Sequence, residues 1–294
     1  MRVTQSMLSN NMLRNLTNSY ANLGTYMDQL TTGKKINRPS DDPVVAVKGM
    51  DYRTQVLQVE QFQRNTGEVH NWMDNTDAAL DQATKALHRI RELAVQASND
   101  TYDDAERMNI KAEVEQLKQH LIDIANTNVN GKYIFNGTNT DVKPIEDPNN
   151  ITDLDSSPVN IEVSSGIVIK ANVNANEIFG SEAFSRIDEL INALGGEEGT
   201  IDQAAIESSI ASIDENIDNV LNARADLGAR MNRLDLIDNR LSAQKISATQ
   251  MMSKNEDIDF EEVITKLITQ ESIHRAALST GSRVIQPTLI DFLR

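Results

Sequence analysis

The chain has 294 residues, no cysteine, and 28 Lys and Arg against 44 Asp and Glu, a formal charge of −16. The missing cysteines exclude a disulfide framework, a thiolate metal site and a thiol nucleophile, and the acidic balance lacks the basic footprint that nucleic acid requires. The excess acid is concentrated at 136–205, where Lys143, Lys170 and Arg186 stand against thirteen carboxylates, which reads as a solvated, self-repelling surface.

Near the N-terminus Leu13, Leu16, Tyr20, Leu23, Met27 and Leu30 recur in steps of three and four. Such spacing predicts a helix with a narrow apolar stripe that wants a partner helix. The following loop, Gly33 to Pro43, carries Lys34, Lys35 and Arg38. In Ser40-Asp41-Asp42-Pro43 a side-chain oxygen caps the next helix and Pro43 suits its first turn. The strongest heptad pattern runs through Val69, Met73, Thr76, Leu80, Ala83, Leu87, Ile90, Ala94 and Ala97, a rod of roughly 43 Å if helical. Trp72 beside it reads as core rather than as a binding platform. Asn99-Asp100-Thr101 breaks the rod, and Ile110, Val114, Leu117, Leu121 and Ile124 resume the helical period.

The middle changes character. Asn130-Gly131 and Asn136-Gly137 bracket Lys132-Tyr133-Ile134-Phe135 as a short strand. Val159, Ile161 and Val163, then Ile167, Ile169, Ala171 and Val173, alternate around Ser164-Ser165-Gly166 and predict a hairpin. Helical period returns from Phe184 to Leu194. A second long seam follows through Ile206, Ile210, Ile213, Ile217, Val220, Leu227, Met231, Leu234 and Leu241, with Arg224 and Asp238 placed in it as register-setting polar residues. Residues 255–262 hold five acids that complement the basic loop. The last stretch repeats the narrow stripe of the first in Ile264, Leu267, Leu278, Ile285, Leu289 and Phe292, interrupted by Glu271, His274 and Gly281.

The fold class expected is mainly α with a small β insertion, built on long antiparallel helical rods. The two long seams should pack on each other and leave 137–180 separable. The alternative is a joint core of Tyr133, Ile134, Phe135 and Phe179. No apolar run approaches the roughly 20 residues of a membrane span, and Thr4 to Asn22 is too rich in Ser, Thr and Asn for a cleavable signal peptide. His70, His88, His120 and His274 have no acids at zinc-ligand spacing, and Asp41-Asp42, Asp103-Asp104 and Asp153-Leu154-Asp155 lack calcium-loop spacing. With no phosphate loop and no nucleophile elbow, the chain reads as a non-enzyme without cofactor or metal.

The opening Met1-Arg2-Val3-Thr4-Gln5-Ser6-Met7 and the loop Leu30-Thr31-Thr32-Gly33-Lys34-Lys35-Ile36-Asn37-Arg38-Pro39-Ser40-Asp41-Asp42-Pro43 resemble the N-terminal signature of flagellin-related proteins, particularly the hook–filament junction members. Arg224-Ala225-Asp226-Leu227-Gly228-Ala229-Arg230, Asn255-Glu256-Asp257-Ile258-Asp259-Phe260 and the ending Pro287-Thr288-Leu289-Ile290-Asp291-Phe292-Leu293-Arg294 are similar to the same family's return helix, spoke and terminus. The resemblance covers about the first 140 and last 75 residues.

It implies a terminal coiled-coil inner domain (1–40 and 255–294), a helical rod domain (41–136 and 181–254) and a β-rich outer domain (137–180). It also implies export as an unfolded chain through a flagellar secretion channel and location at the hook–filament junction. The implied partners are further copies in a junction ring, the proximal hook-associated junction protein, flagellin and an export chaperone. The subunit-contact residues expected are Leu13, Leu16, Tyr20, Leu23, Met27, Leu30, Lys34, Lys35, Arg38, Leu278, Ile285, Leu289 and Phe292. A flagellin filament subunit, a coiled-coil binding protein that never polymerises and a helical enzyme are the rival readings.

Overall fold

A computed structural model describes residues 5–99, 103–147, 151, 154–195 and 202–284. Seven helices and four short strands are described. The order is α1 (Gln5–Thr32), α2 (Pro43–Ala97), α3 (Asp104–Ala125), β1 (Asn128–Val129), β2 (Lys132–Tyr133), β3 (Asn160–Ser164), β4 (Ile167–Lys170), α4 (Asn176–Phe179), α5 (Ser181–Ala193), α6 (Gln203–Glu256) and α7 (Phe260–Val284). The expected class is what the structure has: mainly helical, with two two-stranded antiparallel sheets.

Local chemistry sets the boundaries. Gly33 ends α1 at φ 70°, its N–H donating to Gln29 O at 2.8 Å, because a residue closing a helix in the left-handed region pays least as glycine. Asp42 Oδ1 accepts the N–H groups of Val44 and Val45 at 2.9 and 3.1 Å, and Pro43 then opens α2 where its missing N–H costs nothing. Asp259 caps α7 in the same way through the N–H groups of Glu261 and Glu262. Those two acids also sit favourably at the positive end of the helix dipole. At Asn130-Gly131 both residues have positive φ, 54° and 84°, so β1 and β2 join through a two-residue loop that matches strand twist.

The chain divides into two compact units, Met1–Gln58 with Gln244–Arg294, and Val59–Ala243. The divisions fall inside α2 and α6, not at the loops between helices. α2 is 55 residues long, so the helix begins well before the heptad pattern at Val69.

In the second unit every member of the 69–97 heptad set is buried. Val69, Met73, Leu80, Ala83, Ile90, Ala94 and Ala97 face it with Ile206, Ile213, Val220, Leu227, Leu234 and Leu241 from α6 in one core. The two helices run antiparallel, since the cross-links read in opposite order: Gln63 with Ser242, Asp77 and Asp81 with Arg224, Arg91 with Asp214, Ser98 with Gln203. Arg224 does sit in the seam, at 3.0 Å from both aspartates. Asp238 does not: it is exposed, and Ile237, 6 % exposed, takes the inward position. The fully buried positions Ile206, Ile213, Val220, Leu227, Leu234 and Leu241 keep seven-residue spacing throughout, and only the position between the last two differs from the expected one.

The β-region packs into the helical core. Phe135 and Phe179 are both buried and meet edge-to-face at 5.0 Å between centroids. Ile145, Leu154, Val163, Ile169 and Val173 join the same apolar cluster as α2, α3 and α5. Ile134, Phe135 and Phe179 thus share one core with the helices, and Tyr133, the fourth residue of that alternative, is half-buried and outside it. Strand pairing covers less of the middle than its alternation suggests, because Pro144 and Pro158 and side-chain bridges such as Asn172 Oδ1 accepting Val159 N–H occupy the flanks.

Candidate assembly surface and the ionic cluster at its base

α1 and α7 pair in the first unit, and the paired faces are narrow. On α1 the residues turned inward are Met12, Leu16, Ser19, Leu23, Tyr26 and Leu30, and on α7 they are Val263, Leu267, Gln270, His274, Ala277 and Gly281. Both sets step by four and three, as coiled-coil seams do. Only Ser19, Val263 and Gly281 are fully buried among them.

The seam is polar in its middle and small at its far end. Gln270 Nε2 donates to Ser19 Oγ at 3.0 Å. The Tyr20 and His274 rings lie 6.2 Å apart. A Cβ on Gly281 would stand 2.7 Å from Met12 Cε, so glycine there is what admits the methionine.

The expected contact residues separate into two groups. Leu16, Leu23 and Leu30 are half-buried toward α7. Leu13, Tyr20 and Met27 are 53, 72 and 61 % exposed and form a second stripe, seven residues apart and about 60° round the helix from the first. On α7 the same division leaves Ile264, Ile268 and Leu278 outside, whereas His274 and Gly281, expected as interruptions, are in the seam. Ile285, Leu289 and Phe292 lie outside the described residues. Ser19 and Gln270 were missed because apolarity alone marked the stripe, and Met12 because the stripe was begun at its neighbour Leu13; the unbroken 4-3 spacing of their positions was the signal available.

At the base of this pair the basic loop meets the acidic one. Lys34 Nζ lies 2.6 Å from Asp257 Oδ1 and 3.4 Å from Glu256 Oε2, and Arg53 Nη2 donates to that same Oε2 at 2.7 Å. Two backbone bonds lock the crossing, Lys35 N–H to Glu256 O at 2.7 Å and Ile258 N–H to Gly33 O at 3.1 Å. Lys35 Nζ donates to Lys254 O instead of to an acid.

The hydrogen bond it donates to Asp257 holds the Lys34 ammonium above its ordinary range against the effect of burial. The hydrogen bond from Arg53 holds the Glu256 carboxyl below its own. Glu256 has only 5 % of its side chain exposed, and it fits because Gly49 opposite has no Cβ. Arg38 lines a shallow cleft of about 200 Å³ beside Glu256, with Ile36, Pro39, Val45 and Met50.

His70 Nε2 comes within 3.6 Å of Asp74 Oδ2, but among the described residues no three potential ligands could hold a metal ion. No described helix is long and apolar enough to cross a membrane. What the surface offers is a pair of exposed apolar stripes on helices from both ends of the chain.

Residues 3–140 match the bacterial flagellin N-terminal helical region and residues 210–293 match the bacterial flagellin C-terminal helical region. A flagellar filament 31.3 kDa core protein of Treponema maltophilum is 30 % identical over 71 % of this chain and 70 % of its own length. The chain belongs to the bacterial flagellin family. Flagellar hook-associated protein 3 of Escherichia coli is 27 % identical over 94 % of this chain and 95 % of its own length. The crystal structure of flagellar hook associated protein-3 from Legionella pneumophila shares the fold, with a TM-score of 0.61 at 16 % identity over 69 % of this chain and 97 % of that one.

Proposed function

We propose that this flagellin-family chain is the structural adaptor that joins hook to filament, polymerising as a ring through its terminal helices. The carrying observation is the uncovered stripe on the paired helices: Leu13, Tyr20 and Met27 on α1, Ile264, Ile268 and Leu278 on α7. Apolar rows of this length on a helix pair are stable in water only when another surface covers them, and neighbouring copies supply one. End-to-end correspondence with hook-associated protein 3 favours the junction over the filament. In this reading the chain is a structural component without catalytic activity, exported through the flagellar secretion system with a chaperone. It meets the proximal junction protein on one side and flagellin on the other, with residues 137–180 facing outward.

The test is Leu13→Asp and Met27→Asp in cells lacking the native protein. A charge on the outer stripe leaves the α1–α7 seam intact but places an unpaired ion in any interface formed there. The variants should be exported, fail to join, and release flagellin into the medium; normal attached filaments would refute the assignment. The second reading, a filament subunit, is favoured by the similarity to filament core proteins. It would be established if purified protein grew long filaments from seeds.

A further inference from the structure

Besides the helix stripes, the first unit carries an open cleft of about 200 Å³. Ile36 and Pro39 from the loop after α1, with Val45 and Met50 from α2, make much of its lining apolar, and Met50 is 55 % exposed. A cavity of roughly 150 Å³ holds a benzene ring, so one aromatic side chain fits here and a helix does not. Two cations stand at the cleft, Arg38 and Arg53. Arg53 is committed to Glu256 at 2.7 Å. Arg38 is exposed, and among the described residues its guanidinium has no ionic partner. The matching occupant is an apolar side chain with a carboxylate beside it.

The same unit presents that combination at the start of α7. Phe260 is 53 % exposed and stands between Asp259 and Glu261. Among the described residues it is the exposed aromatic with an acid on either side. Asp259 is occupied in capping the helix, and Glu262 lies 2.6 Å from Lys266. That leaves the exposed Glu261 carboxylate without an ionic partner among the described residues. Phe260 Cζ lies 3.8 Å from the position a Gly33 Cβ would take, so the ring rests on the turn that ends α1. It does not line the cleft of its own chain.

We infer that the cleft of one copy receives Phe260 of a second copy, with Arg38 pairing with Glu261 across the contact. Cleft and ring are different patches of one surface, so the contact is head-to-tail: each copy offers a cleft to one neighbour and a ring to the other. Contacts of this kind generate closed rings or open helices according to the rotation they impose. The buried aromatic supplies the affinity and the charge pair fixes the register. This contact rests on the polymerising reading above and adds a second point of attachment, away from the helix stripes.

The chain has no cysteine, so single cysteines report contacts between copies without background. Full-length Asn37→Cys and Glu262→Cys proteins, each substituted at an exposed position, are concentrated together and apart and treated with a short bis-maleimide. The mixture should give a cross-linked dimer about tenfold above either protein alone, because a head-to-tail contact brings position 37 of one copy to 262 of the next. Phe260→Ala on the Glu262→Cys chain should lower that product about tenfold, with an unchanged circular dichroism spectrum. Arg38→Glu on the Asn37→Cys chain should lower it about fivefold, and Glu261→Arg on the other chain should restore it. Equal dimer from either protein alone, no product above background, or no rescue by the second reversal would overturn the inference. So would a product that survives Phe260→Ala but needs residues 285–294, which would put the chain's end in the cleft. Cross-linking is read on purified protein, so it holds or fails apart from the junction assignment, which filament attachment in cells decides.

Discussion

Replacing Gly49 by alanine sets two effects of similar size against each other. Gly49 sits inside α2, where alanine is favoured by about 1 kcal/mol through backbone entropy. The new Cβ would stand 2.6 Å from Glu256 Oε1 and 3.4 Å from its Cδ. Oε1 ends a flexible side chain and can swing, but Oε2 is held by Arg53 at 2.7 Å, so the swing weakens that bond. A charge-assisted hydrogen bond contributes about 1.5–3 kcal/mol, reduced here because Arg53 is 59 % exposed and solvent screens the pair. The loss should be about 1–2 kcal/mol, which cancels or outweighs the helix gain. In a Glu256→Ala background the obstruction is absent, and Gly49→Ala should stabilise by about 1 kcal/mol. Native-state hydrogen exchange of amides 45–53 in the four proteins gives the cycle, with a coupling of about 1–2 kcal/mol expected. Additive effects, with Gly49→Ala equally protective in both backgrounds, would refute the steric account.

Leu80→Ala should cost about 2–5 kcal/mol, because Leu80 has no exposed surface in the α2–α6 core; Leu236→Ala, 72 % exposed, should stay within about 0.5 kcal/mol. Urea unfolding compares them, and equal effects would contradict the assigned seam. Asp155 accepts from Ser157 and Thr138, which lowers its carboxyl from 3.8 to about 2. The folded value is the lower one, so the stabilisation is complete above about pH 4 and disappears as pH falls through 2; a carboxyl NMR midpoint near 4 would refute it. Arg224→Met should leave stability within about 1 kcal/mol, since an apolar side chain of similar length replaces a partly buried ion pair well; a thermal melt showing a much larger loss would mean the aspartate contacts carry the seam. Replacing 138–180 by a short Gly-Ser linker should give aggregating protein, as it uncovers Phe135 and the α3 face; soluble, monomeric protein by light scattering would restore the separable insertion.

The two long seams were legible because they alternate apolar residues at 4-3 spacing for many turns, and a pattern that long has few other solutions. The terminal stripes were legible as stripes, but not as two faces. Leu13 and Leu16 both count as apolar in sequence, and only the register against α7 turns one inward and one outward. Gln270 and Ser19 disguise the true seam by being polar. Among the candidate contact groups Lys34 was readable as a charge seeking a charge, yet Arg53 and Gly49 lie in another helix and become neighbours of Glu256 only through the fold. The packing of the β-region was not legible for a related reason: Phe135 and Phe179 are 44 positions apart, and alternation says nothing about which distant face a strand will cover.

The bond between Ser19 and Gln270 spans 251 positions, which makes the terminal helix pair a question of order in time. Closing a loop of that length in an unstructured chain costs about 5 kcal/mol in entropy, and a seam with half-buried leucines and one such bond offers little to offset it. The pair therefore forms after Asn255 has bonded Val45 and Glu256 has bonded Arg53, when only the short turns after Thr32 and Glu256 remain to be bridged. From the crossing at Lys35 and Glu256 the helices zip outward, each step local, towards Met12 and Gly281. Unzipping runs the other way, so the first turns to open are those nearest the two ends of the chain.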